Sequence, residues 1–81
     1  MTFRGKDWQR YGNHYELVGT SIKVYQWNSG KNANFLVTAG YRISESKEIT
    51  INGKGQDARD AAIAKAFELR DTGKYFTNRK N

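Results

Sequence analysis

Residues 21–43, SIKVYQWNSGKNANFLVTAGYRI, read as two strands joined by a turn, and the rest of the fold is arranged around this hairpin. Successive side chains of a strand point to opposite sides. Ile22 and Val24 therefore share one face, while Lys23, Tyr25 and Trp27 share the other. Asn28 to Asn32 collects Asn, Ser and Gly, residues that tolerate left-handed backbone angles and mark a turn. From Asn34 to Ile43 the alternation resumes. Phe35, Val37, Ala39, Tyr41 and Ile43 fall on one face and Leu36, Thr38, Gly40 and Arg42 on the other. Periodicity leaves open which face of 21–27 is buried, because Tyr25 and Trp27 are as suitable for a core as Ile22 and Val24.

Working outward, the segment 14–27 holds two short β-prone stretches around Gly19, the second of which opens the hairpin, and Ser44 to Ser46 is a polar connection to a further strand, Lys47 to Ile51. There Ile49 and Ile51 face inward and Glu48 and Thr50 outward. Asn52-Gly53-Lys54-Gly55 ends that strand, and a helix is expected from about Asp57 to Thr72. Asp57 suits either the N-cap or the first turn, where a carboxylate meets unpaired N–H groups. Ala62, Ile63, Ala66, Phe67 and Leu69 form its apolar stripe, with Phe67 supplying most of the bulk and Arg59 and Lys65 on the outer face. Gly73 sits where a helix C-terminus favours a left-handed residue. The expected fold is α+β: a small antiparallel sheet of three to four strands, with one C-terminal helix packed on one face. It forms a single domain over 1–81, with basic termini at 1–12 and 74–81 that have scope for flexibility. Removal of 74–81 is expected to leave the fold standing.

Fourteen Lys and Arg against eight Asp and Glu give the chain a formal charge of +6. The helical region 56–73 is net negative, whereas the tail 74–81 carries Lys74, Arg79 and Lys80 with no acid. An anionic partner should therefore approach the strands and termini rather than the helix. Leu, Ile, Val and Phe together number fifteen, few for a folded chain, but eleven aromatic residues compensate, since each large ring buries considerable area. The absence of cysteine excludes disulfides, thiolate metal sites and thiol nucleophiles, and permits a reducing, cytoplasmic setting. No apolar run is long enough for a transmembrane helix or a secretory signal, so no membrane role is expected.

Enzymatic chemistry finds little support. His14 is the only histidine, and no set of convergent ligands suggests a metal or cofactor; none is expected. Gly53-Lys54-Gly55 precedes a helix but lacks the spacing of a mononucleotide loop, and Asp57 would repel an anion there; it reads as a strand-to-helix turn. What recurs is basic residues interleaved with aromatic ones. Arg4, Lys6 and Arg10 stand beside Phe3, Trp8 and Tyr11; Lys23 stands beside Tyr25 and Trp27, with Lys31 and Arg42 on the flanking segments; Lys74, Arg79 and Lys80 stand beside Tyr75 and Phe76. Cations neutralise phosphates and release counterions, and rings stack on unpaired bases.

Three strands followed by a helix resembles, in element order, the AP2-like domains of phage-type integrases, which use a sheet face on DNA. It also resembles the second half of a double-stranded-RNA-binding domain. From the latter this chain departs, since Gln56, Asp57 and Asp60 stand where lysines are usual at the helix start. The expected function is that of a small basic nucleic-acid-binding or regulatory module, DNA favoured over RNA, acting through the open sheet face and basic termini. The alternative is an inhibitor that binds an intracellular protein complex, such as a phage anti-CRISPR or anti-restriction accessory protein, because Trp, Tyr and Arg also anchor protein interfaces.

Overall fold

The computed structural model describes residues 3–40 and 46–76. Strands β1 (Trp8–Tyr11), β2 (His14–Leu17), β3 (Lys23–Trp27), β4 (Asn34–Ala39) and β5 (Lys47–Thr50) form an antiparallel meander in chain order, followed by helix α1 (Gly55–Asp71). The α+β class is as expected, but the sheet has five strands rather than three or four. The additional strand is β1, which lies within the stretch read as a basic terminus. Trp8 pairs with Leu17 and Tyr11 with His14 across the two-residue turn Gly12-Asn13, where Gly12 adopts φ +39°. A Gly-Asn pair between two β-prone stretches is itself a hairpin signal. The strand from Asn34 is described to Ala39; Tyr41, Arg42 and Ile43 lie outside the described residues.

Cross-strand register settles which face is buried. Tyr15 pairs with Val24, Val24 with Val37, and Val37 with Ile49, so these side chains share one face. Leu17, Val24, Phe35, Val37 and Ala39 are buried there, and α1 lies chiefly over β4, pressing Ala58, Ala62, Ile63, Ala66 and Leu69 onto them. The small alanines let the helix come close to the sheet, as their spacing suggested. Phe67, however, does not supply the bulk. It is half-buried at the edge, 5.9 Å from Trp8 and beneath the Arg70 guanidinium, whereas Phe35 is 1% exposed. Arg59 is likewise not an outer-face residue: its guanidinium lies 5.5 Å from the Phe3 ring centre and 5.3 Å from that of Phe35.

Two anchors fix the helix to the sheet. At its start, Gly55 donates to the Ala33 carbonyl at 2.9 Å and adopts φ +74°; a Cβ there would meet the Lys31 backbone at 3.2 Å. The helix thus begins two residues before the expected Asp57, which stands in the first turn, while Lys54 occupies the N-cap position with no side-chain cap bond. At its end Gly73 turns the chain at φ +76°, and Ser21 then donates to the Tyr75 carbonyl at 2.8 Å while Phe76 bridges to Thr20. The segment from residue 74 is therefore partly a structural strap, and its removal would not leave the fold untouched; residues 77–81 lie outside the described residues.

Three stability outcomes are expected in thermal unfolding. Phe35→Ala costs about 3–5 kcal/mol, and Phe67→Ala roughly 1–2 kcal/mol because much of its ring is already in water; equal losses would place Phe67 in the core. Gly55→Ala costs about 1–3 kcal/mol, since it forces a left-handed backbone onto alanine against main chain that cannot swing aside. Truncation after Phe76 retains more stability than truncation after Gly73, and identical melting would show that the strap contributes nothing.

Candidate functional site

One helix covers one face of the sheet, and the other face carries a row of rings. Tyr11 pairs with His14, His14 with Tyr25 and Tyr25 with Leu36, so that register alone aligns these side chains across four strands. Ring centres are 5.5 Å apart for Tyr11 and His14, 4.9 Å for His14 and Tyr25, and 6.4 Å for Tyr25 and Trp27, the last two lying on the same strand. Tyr11 and Trp27, at the ends of the row, are 46% and 51% exposed, although apolar surface of this size ordinarily seeks cover. Beside the row, a shallow groove of about 400 Å³ is lined by Lys23, Tyr25, Trp27, Leu36, Thr38 and Glu48. Asn34 sits across from Trp27, and its side-chain oxygen is buried with no hydrogen-bond partner, an acceptor left unsatisfied at this end of the face.

The charge on this face is sparse. Lys23 pairs with Glu16 on one side and Thr38 on the other, and Thr38 pairs with Glu48, so the lysine stands between two carboxylate-bearing positions. The interleaving of cations and rings along the chain is thus not reproduced in space. Lys23, Tyr25 and Trp27 come together. Arg10 projects from the helix-side face, opposite Tyr15, and shares a cleft with Arg4. Lys6 is exposed in the turn before β1, Lys31 in the 3-10 turn Gly30–Asn32, and Lys74 beyond the helix. Arg42, Arg79 and Lys80 lie outside the described residues.

Tyr11, His14 and Leu36 belong to the site by position, although linear reading sets Tyr11 only beside Arg10 at the basic terminus and gives His14 and Leu36 no binding role. The signal for His14 and Leu36 is their register with Tyr25, and that for Tyr11 becomes visible only when Trp8–Tyr11 is recognised as a strand. Among the described residues no three His, Cys, Asp or Glu side chains gather in a way that holds a metal ion, and no helix is long and apolar enough to cross a membrane. Comparison with known proteins adds no assignment: no family model, no curated protein and no solved structure matches this chain. The five-strand meander also exceeds the three-strand element order on which the two resemblances rest.

The two tryptophans differ in environment, Trp8 being 9% exposed and Trp27 51%. Acrylamide should quench one part of the fluorescence readily and leave a blue-shifted part protected, with Trp27→Phe removing the quenchable part. Uniform quenching of both would contradict the assignment of the two faces.

Proposed function

We propose that this chain is a single-stranded nucleic-acid-binding module whose uncovered sheet face stacks unpaired bases. The observation that carries the proposal is the row of exposed Tyr11 and Trp27 and half-buried His14 and Tyr25 on a face that no element of the described chain covers. Every base has a π-face, so a run of rings retains a strand without reading its sequence. The chain's charge of +6 supplies long-range attraction to a polyanion, and Lys23 on the face is available to a phosphate. A sheet face with lateral rings favours splayed, unpaired nucleotides over a duplex, whose bases offer only their edges. DNA is the first polymer to test.

A second reading has its own observation. Among the described residues the charged groups on this face are Lys23, Glu16 and Glu48, which is weak electrostatic complementarity for a polyanion. Aromatic side chains with few lysines are characteristic of protein–protein contact patches. On this reading the row docks on a protein surface, as an inhibitor of a nucleic-acid-processing complex would.

Fluorescence titration with single- and double-stranded oligonucleotides at low and moderate salt separates the two. The nucleic-acid reading expects single strands to bind more tightly than duplex. Trp27→Ala or Tyr25→Ala should then weaken single-strand binding by about 1–3 kcal/mol without lowering the melting temperature. Weak, salt-labile binding that ignores both substitutions overturns it and leaves the protein-docking reading.

A further inference from the structure

On the helix side of the sheet, beyond the edge of α1, lies a cleft of about 490 Å³ lined by Phe3, Arg4, Arg10, Tyr15, Gln56 and Arg59. Three arginines from three separate segments converge there: the N-terminal segment, the edge strand β1 and the first turns of α1. We propose that this cleft is a phosphomonoester site of nucleotide size, distinct from the aromatic row and independent of what that row binds.

Positive charge outweighs negative at the cleft: one carboxylate adjoins it, that of Asp60, which accepts from Gln56 Nε2 at 2.8 Å and lies within the influence of the Arg59 charge. Elsewhere in the described chain Lys65 pairs with Glu68 at 3.1 Å and Arg70 lies 3.8 Å from Asp7, but no ion pair engages Arg4, Arg10 or Arg59. Three guanidinium groups beside a single carboxylate leave an excess of positive charge, and an anion placed among them relieves their mutual repulsion. Arg59 is also held in advance: its guanidinium carbon lies 5.5 Å and 5.3 Å from the ring centres of Phe3 and Phe35, contacts that need none of its N–H donors. Phe3, in turn, stacks on Tyr15 with ring centres 4.2 Å apart, giving the cleft a rigid aromatic floor.

A phosphomonoester carries a charge near −2 and three acceptor oxygens, which suits several forked donors better than a singly charged carboxylate does. The cleft volume falls within the range of small-ligand sites, roughly 300–1,000 Å³, so it has room for a nucleoside with its phosphate. A second recess of about 260 Å³ shares Arg10 and Tyr15 with this cleft. The phosphomonoester can be that of a free mononucleotide or the 5′ end of a phosphorylated strand.

The test is an NMR titration of isotope-labelled protein that follows the arginine side-chain Nε–H signals. The probes are inorganic phosphate, adenosine 5′-monophosphate, adenosine, and a short oligothymidylate with and without a 5′ phosphate. Phosphate and adenosine monophosphate should shift the Arg4, Arg10 and Arg59 signals together, and adenosine should not. Arg10→Ala, at an exposed position, should weaken adenosine monophosphate about tenfold or more at unchanged melting temperature. Arg59→Lys keeps the charge and the stem over the rings but loses the fork, and should also weaken it. Tighter binding of the 5′-phosphorylated oligonucleotide than of the mononucleotide assigns the source to a strand end; the reverse order assigns it to a free nucleotide. Equal binding of adenosine and its monophosphate, no shift of the three arginines, or affinity unchanged in both variants overturns the proposal. Trp27→Ala should leave mononucleotide binding intact, so loss of stacking on the open face and loss of this cleft are separate failures.

Discussion

A mismatch of widths governs this molecule. Five strands spaced about 4.8 Å apart make a sheet roughly 19 Å across its strand axes, whereas one helix with its side chains is about 10 Å wide. With α1 seated over β4 and adjoining β3, the β1–β2 side of the same face lies beyond its reach. Phe3 closes part of that gap by lying on Tyr15, edge-on to Trp8 at 4.9 Å and near Phe35, with Arg59 reaching across from the helix to cap it. The sheet's opposite face receives no cover from the described chain at all. Both surfaces proposed to bind ligands follow from this shortage of covering elements.

The shortage also explains why the core uses rings where a larger domain would use a second helix. A planar side chain spreads over a wide area of sheet at little cost in rotamer freedom, so Phe3 and Trp8 cover what aliphatic residues of the same number would not. Their exposed margins accept a guanidinium: Arg59 lies on Phe3 and Phe35, and Arg70 on Phe67. Arginine is thereby part of the packing as well as of the surface charge, and its stem contributes to stability as its head serves recognition. Position on the helix therefore decides role. Arg70 is near an acid and structural, whereas Arg59 is turned to a cleft that holds two further arginines.

Separation of charge from aromatic surface is a consequence of the two-residue repeat of a strand. Arg10 and Tyr11 are neighbours in the chain and stand on opposite faces of the sheet, as do Tyr15 and His14 on the paired strand. Residues interleaved along the backbone are thus divided between the two faces, Arg10 with Tyr15 and Phe3 on the helix side and Tyr11 with His14 and Tyr25 on the open side. A partner that uses both must pass around the β1 edge.

Much of the fold was decided locally. Alternation in 34–39, the polar turn after Trp27, the alanine-rich stripe of the helix and Gly73 at its end all act over a few residues, and physical rules of that range are readable from the chain. The strand at Trp8–Tyr11 was equally local, signalled by Gly12-Asn13, but basic composition at the terminus drew the reading away from it. Other features depended on contacts between distant segments. Which face of Lys23–Trp27 is buried was decided by where the helix landed, and the helix start was decided by the approach of Gly55 to Lys31 and Ala33. The row from Tyr11 to Trp27 exists only through register between strands, and the meeting of Arg59 with Arg4 and Arg10 only through packing of the helix start near a segment about fifty residues away in the chain. Alternation specifies that neighbours diverge; it carries no information on which remote residues then converge, because that is set by the pairing and packing of whole elements.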